Sequence, residues 1–127
     1  MISVDTNLLA RIITNDDPDQ AERATRFILD HAVYIPKTVL LETEWVLRSP
    51  YGLRPRLIAA SLRGLLGSAN ITIEAEDAVT QALGWFEDGM DFADAMHLAS
   101  VPADYKFATF DDRLRRKLRA IGRFVDL

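Results

Sequence analysis

Short β-like runs alternate with helical periodicities along this whole chain, and that alternation restricts the fold more than any other property of the sequence. Residues 1–4, 32–36, 70–74, 107–110 and 124–126 read as strands. Between them the spacing predicts helices. One begins near Leu8. A second starts with Asp17 as N-cap and Pro18 at the first helical position, and carries Ala21, Ala24, Phe27, Ile28 and His31 on one face. A third runs from a Thr38 cap to Arg48, where Ser49-Pro50-Tyr51-Gly52 breaks it. A fourth spans Pro55 to Leu66, a fifth is capped by Asp77 and runs to Glu87, a sixth opens at Asp91 and breaks near Val101-Pro102, and the last covers Asp112 to Ile121. Strands separated by helices can pair in parallel because each helix serves as the crossover. The expected architecture is α/β, three layers, with a parallel sheet flanked by helices and one domain over residues 1–127.

Composition narrows the chemistry. The chain is 49% hydrophobic, enough for a core at this length, and has no cysteine, which excludes disulfides and zinc-thiolate sites. Its two histidines, His31 and His97, are too far apart in sequence to form a spaced zinc motif. No secretory leader pattern opens the chain, and no apolar run approaches the roughly 18 residues that a membrane span needs, so a cytoplasmic protein without membrane contact is expected.

The net charge of −4 argues against a nucleic-acid partner until its distribution is considered. Five of the 19 acids stand at the positions discussed next; the other 14 are balanced by 15 bases, most of them arginine, which grips phosphate bidentately. From Arg113 to Arg123 there are six bases and no acid. The same segment places Leu114, Leu118 and Ile121 at helical spacing, so it also fits an ordinary helix with a solvated basic face.

Asp5, Glu42, Asp91, Asp94 and Asp111 occupy places where a carboxylate has little structural use. Asp5 and Asp111 each follow a strand, and in parallel α/β sheets ligands bind beyond the carboxyl ends of the strands. Asp5 could equally cap the helix at Leu8. Glu42 has Val39, Leu41, Trp45 and Val46 as helical neighbours, where an uncompensated charge is costly. Glu44, by contrast, has Arg48 four residues on and reads as half of a surface ion pair. Asp91 and Asp94 share one helical face and repel, unless a cation joins them. Of the adjacent pair Asp111 and Asp112, the cap of the last helix is assigned to Asp112 and the ligand role to Asp111, an assignment the sequence leaves open. His97 reads as a packing residue. An oxygen-only set of this kind suits hard ions such as Mg²⁺ or Mn²⁺.

The motifs Val4-Asp5-Thr6-Asn7, Leu41-Glu42, Asp91-Phe92-Ala93-Asp94-Ala95-Met96-His97-Leu98-Ala99 and Thr109-Phe110-Asp111-Asp112-Arg113-Leu114, in that order, resemble PIN-domain ribonucleases, and within them the VapC toxins of type II toxin–antitoxin systems. The resemblance covers nearly the whole chain. It implies a parallel five-stranded sheet, a homodimer, Mg²⁺- or Mn²⁺-dependent cleavage of RNA, and a cognate antitoxin that blocks the site. Carried over by position, Asp5, Glu42, Asp94 and Asp111 match the acidic site, Asp91 a frequent additional acid, and Thr6, Asn7 and Thr109 polar supports. Ser100-Val101-Pro102 departs from the pattern by ending its helix early, but removes no ligand.

The chemistry expected is in-line hydrolysis of a phosphodiester, with Asp5, Asp94 and Asp111 holding metal, Glu42 completing coordination or orienting water, and arginines of the 113–123 segment on the phosphate backbone. Two other readings compete. A receiver-like Mg²⁺-binding signalling module would need a lysine just past a later strand, and Lys106 precedes its strand. A catalytically silent partner-binding domain would have no reason to keep the acid set.

Overall fold

The computed structural model describes residues 1–127, ordered as β1 (Ile2–Ser3), α1 (Thr6–Thr14), α2 (Pro18–Asp30), β2 (Val33–Ile35), α3 (Lys37–Arg48), α4 (Pro55–Leu66), β3 (Ile71–Ile73), α5 (Glu76–Glu87), α6 (Phe92–Ala99) and α7 (Asp112–Ala120). The three strands pair in parallel in the order β1-β2-β3, with Ile2 opposite Val33 and Val33 opposite Ile71. Helical crossovers make this possible, as the alternation predicts. No helix is long and apolar enough to cross a membrane.

Buried Val33 and Ile35 from β2 and Ile73 from β3 join one apolar cluster with Leu9 of α1, Leu40 and Leu47 of α3, Ile58 and Leu62 of α4, Val79 and Leu83 of α5, Phe92 and Leu98 of α6, and Leu118 of α7. The longest helix, α2, adds Ile28, so every helix contributes at least one buried side chain to the same core, which fixes the helix N-termini relative to the sheet. The end of α1 is tied down separately. Arg11 and Tyr51, from the loop after α3, both bond Asp16, and the Tyr51 hydroxyl at 2.6 Å is the leading cause of that carboxyl's lowered pKa.

Helix starts follow the sequence in part. Asp17 caps α2 by accepting from the Gln20 N–H, with Pro18 at the first position, and Gly67 ends α4. Thr38 and Asp77 do not cap. Pro36 precedes α3 without a side-chain bond, and the Lys37 N–H instead reaches Glu74 Oε1 at 3.0 Å, past the end of β3. Ala75, in a left-handed conformation with φ 50°, precedes α5 and leaves Asp77 inside the first turn. Both misassignments arise because a partner distant in sequence, or an unusual backbone angle, replaces the local cap.

The expected five-stranded sheet is present as three strands. The predicted fourth and fifth strands meet at one parallel bridge, Phe107 with Phe124. Phe107 N–H donates to Arg123 O at 2.7 Å, and two residues later the chain is already turning, with Thr109 Oγ1 accepting from the Asp111 N–H. A ladder cannot extend through a segment committed to entering a helix.

Candidate active site

Three of the five acids line one cavity of ≈ 340 Å³: Asp91, Asp94 and Asp111, with Gly89, Met90, Arg113, Leu114 and Lys117. Local rules put them there. Asp91 is the N-cap of α6 and accepts from the Asp94 N–H at 3.1 Å. Asp111 is the N-cap of α7 and accepts from the Leu114 N–H at 2.8 Å. Asp112, to which the cap was assigned, lies in the first turn, largely exposed, and pairs with Arg115. The correction has a simple cause: whichever Asp stands at the extended residue before the first helical turn becomes the cap.

Capping orients a carboxylate without consuming it. One oxygen is held by the backbone and the other keeps its lone pairs, while the positive end of the helix favours the charge. Asp5 follows the same pattern at α1, accepting from the Leu8 N–H at 3.1 Å, so the capping and ligand readings of Asp5 are compatible rather than exclusive. Asp94 has no such support. Partial burial, then the charges of Asp91 and Asp111, push its carboxyl above the ordinary carboxylate range, and His97 only partly offsets this.

None of the three cavity acids has an ion-pair partner, although two cations stand beside them. Arg113 Nη2 donates to Gly89 O at 3.3 Å and Lys117 Nζ to Asp88 O at 2.8 Å. The α5–α6 loop thus holds both cations by its carbonyls. Gly89 has φ +101°, and a Cβ there would meet Lys117 Nζ at 3.3 Å. Three of the other bases pack or bond within the protein: Arg115 and Arg119 lie over the Phe124 ring, and Arg123 donates to Tyr105 O and Pro102 O, while Arg116 is exposed.

Asp5 and Glu42 are not among the cavity's lining residues, and both are exposed. The contrast drawn between Glu42 and Glu44 is reversed. Glu44 is the buried acid, 3% exposed, with Arg48 Nε on its Oε2 at 2.7 Å. Helix α3 buries Leu40, Thr43, Glu44 and Leu47, leaving Glu42 and Trp45 outward. Arg48 is held above its usual range chiefly by Glu44, with a smaller contribution from the charge of Asp91. The i,i+4 spacing announced the ion pair but not its burial. Among the supporting positions, Thr109 does anchor the Asp111 backbone. Thr6 is buried with its hydroxyl 3.5 Å from Val39 O, and Asn7 lines a separate groove with Leu8, Arg11, Gln20, Arg23, Ala24 and Phe27.

The donor set fits a hard divalent cation: oxygen ligands only, mutually repelling, one of them already destabilised as an anion. Nowhere do three carboxylate or imidazole groups already converge on one point. Substitution at a cap separates ligand from scaffold. Asp111→Asn, an equally good cap, is expected to keep the melting temperature and lose metal binding, whereas Asp111→Ala should also cost about 1 kcal/mol of stability. Thermal denaturation beside Mn²⁺ calorimetry checks this, and an Asn variant that melts as low as the Ala variant would refute the capping role.

Comparison with known proteins follows this geometry. A family model described as PIN domain matches residues 2–119. Among solved structures, the chain is similar to the crystal structure of Mycobacterium tuberculosis VapC20, a Sarcin-Ricin loop cleaving toxin, at 25% identity and a TM-score of 0.47, over 78% of this chain and 79% of that one. No curated protein sequence matches the chain.

Proposed function

Because this chain belongs to the PIN-domain family, we propose that it is a metal-dependent endoribonuclease that hydrolyses RNA phosphodiesters and serves as the toxin of a toxin–antitoxin pair. The observation that carries the reading is the shared cavity of Asp91, Asp94 and Asp111, unpaired with any base of the protein and flanked by Arg113 and Lys117. Carboxylates and cations side by side, neither neutralising the other, suit a site that receives a metal together with a phosphate.

Asp91, Asp94 and Asp111 would hold Mg²⁺ or Mn²⁺. Asp5 and Glu42 belong to the proposed set through the motif resemblance. When bound, such an ion lowers the pKa of a coordinated water and polarises a phosphoryl oxygen. The protein's own groups do the rest. Asp91 and Asp111 enter already oriented by their caps, so less side-chain freedom is lost on ligation. Asp94 exchanges like-charge repulsion for attraction. Arg113 and Lys117 contact the strand's phosphates, which adds affinity and register but no sequence choice. Glu42, solvated on α3, would accept a hydrogen bond from the attacking water at a carboxylate oxygen. A cognate antitoxin that covers the cavity and a second copy of the chain are the proposed protein partners.

The test is incubation of total bacterial RNA with purified protein in Mg²⁺, in Mn²⁺ and in EDTA, beside Asp5→Asn. Discrete products that need metal and disappear in the variant are the expected result. Cleavage that persists in EDTA would remove the proposed site, and cleavage that persists in Asp5→Asn after purification excludes a contaminant would remove Asp5 from it.

A further inference from the structure

Phe110 is 87% exposed, more than any other large hydrophobic side chain of the protein, Met1 and Leu127 at the termini included. A phenyl ring in water usually reflects a mobile end or a partner. Phe110 stands at neither a terminus nor a loose loop. Thr109 before it accepts the Asp111 N–H at 3.0 Å, and Asp111 after it caps α7 through the Leu114 N–H. Its backbone is pinned on both sides, and the ring is carried one residue from a carboxylate that lines the acidic cavity.

We propose that Phe110 is a stacking platform for an unpaired RNA base next to the cleaved phosphodiester. It is a positioning residue, and the inference rests on the nuclease reading above. An aromatic face stacks on any base and needs no hydrogen-bond readout, so it selects unpaired strands rather than a sequence. Bases in a duplex are already stacked and paired and cannot be splayed onto the ring. Arg113 and Lys117 line the cavity that the next residue, Asp111, also lines, and they bring phosphate-binding charge to the helix whose N-cap directly follows Phe110. That charge favours a nucleic acid over an apolar protein surface as the occupant. Exposed Leu29, Trp45 and Leu57 sit on α2, α3 and α4, while Tyr105, 57% exposed, shares the α6–α7 connection with Phe110.

The experiment measures binding of a labelled oligoribonucleotide carrying all four bases, single-stranded and as a duplex, with EDTA keeping the strand intact. The full chain is compared with Phe110→Ala, Phe110→Leu and Phe110→Trp. Phe110→Ala should raise the single-strand Kd about 5- to 100-fold and leave the duplex Kd nearly unchanged. Phe110→Trp should restore affinity, with its added fluorescence quenched by the single strand, and Phe110→Leu should not. Mn²⁺ affinity and melting temperature should be the same in all four proteins. An unchanged single-strand to duplex ratio in Phe110→Ala overturns the proposal, as does full rescue by leucine. Loss of self-association in Phe110→Ala, with RNA binding intact, would assign the ring to an interface between copies instead. Should the wild type cleave RNA while Phe110→Ala binds as it does, only this inference fails; should the wild type neither bind nor cleave, the nuclease reading falls first.

Discussion

Asp94→Asn is expected to abolish metal-dependent RNA cleavage, by at least about a hundredfold, and in the same protein to raise the melting temperature of the metal-free form. The two effects share one cause. Asp94 is pushed above the ordinary carboxylate range by partial burial and then by Asp91 and Asp111. Its charge therefore opposes folding when no cation is bound, and is what binds the cation when one is. An acid whose folded pKa is raised lowers stability at pH above that folded value, and the penalty is relieved as pH falls toward the unfolded value near 3.8. The gain from Asp94→Asn should accordingly be full at neutral pH, shrink through the folded pKa of Asp94, and vanish below the unfolded one. Solvent screening at this partly exposed position limits it to about 1 kcal/mol or less, a rise of a few degrees. Mn²⁺ should reverse the order by stabilising the wild type alone. Melting curves at neutral and acidic pH, with and without Mn²⁺, read all of this. A metal-free Asp94→Asn that melts below the wild type at neutral pH would contradict the electrostatic account of the cavity.

Arg48→Ala should destabilise the protein by about 1–3 kcal/mol, because it strips the hydrogen-bonded partner from a buried carboxylate. Glu44 is 3% exposed, and its only side-chain partner is Arg48. The half-exposed Arg48 lets water reach the pair, which keeps the cost below that of a fully interior ion pair. Glu42→Gln, on the outward face of the same helix, should change stability by no more than about 0.5 kcal/mol. Urea denaturation of the two variants decides which glutamate α3 buries. If Glu42→Gln costs more than Arg48→Ala, the helix is rotated the other way and Glu42 is its buried acid.

That pair marks where local reasoning stops. Val39, Leu40, Leu41, Trp45, Val46 and Leu47 make α3 apolar on most sides, so periodicity cannot say which stripe faces the core. Only packing against the neighbouring helices selects the face of Leu40, Thr43, Glu44 and Leu47. The strand count met a similar limit. Phe107-Ala108-Thr109-Phe110 has the composition of a strand, yet Thr109 and Asp111 turn the chain into α7 after a single bridge.

What the sequence determined by itself was whatever depends on neighbours along the chain. It set the order of strands and helices, the parallel pairing that such an order requires, the start of α2 at Asp17-Pro18, and the family to which the motifs belong. It also marked Asp91, Asp94 and Asp111, acids at helix starts and just beyond a β-like run. Tertiary structure alone decided which acids meet. Asp91, Asp94 and Asp111 share a cavity, while Asp5 and Glu42 lie outside its lining. It also tethered Arg113 and Lys117 to loop carbonyls instead of the carboxylates, and left Phe110 in solvent. Convergence, burial and pairing are sums over contacts between residues far apart in sequence, and no local pattern encodes such a sum.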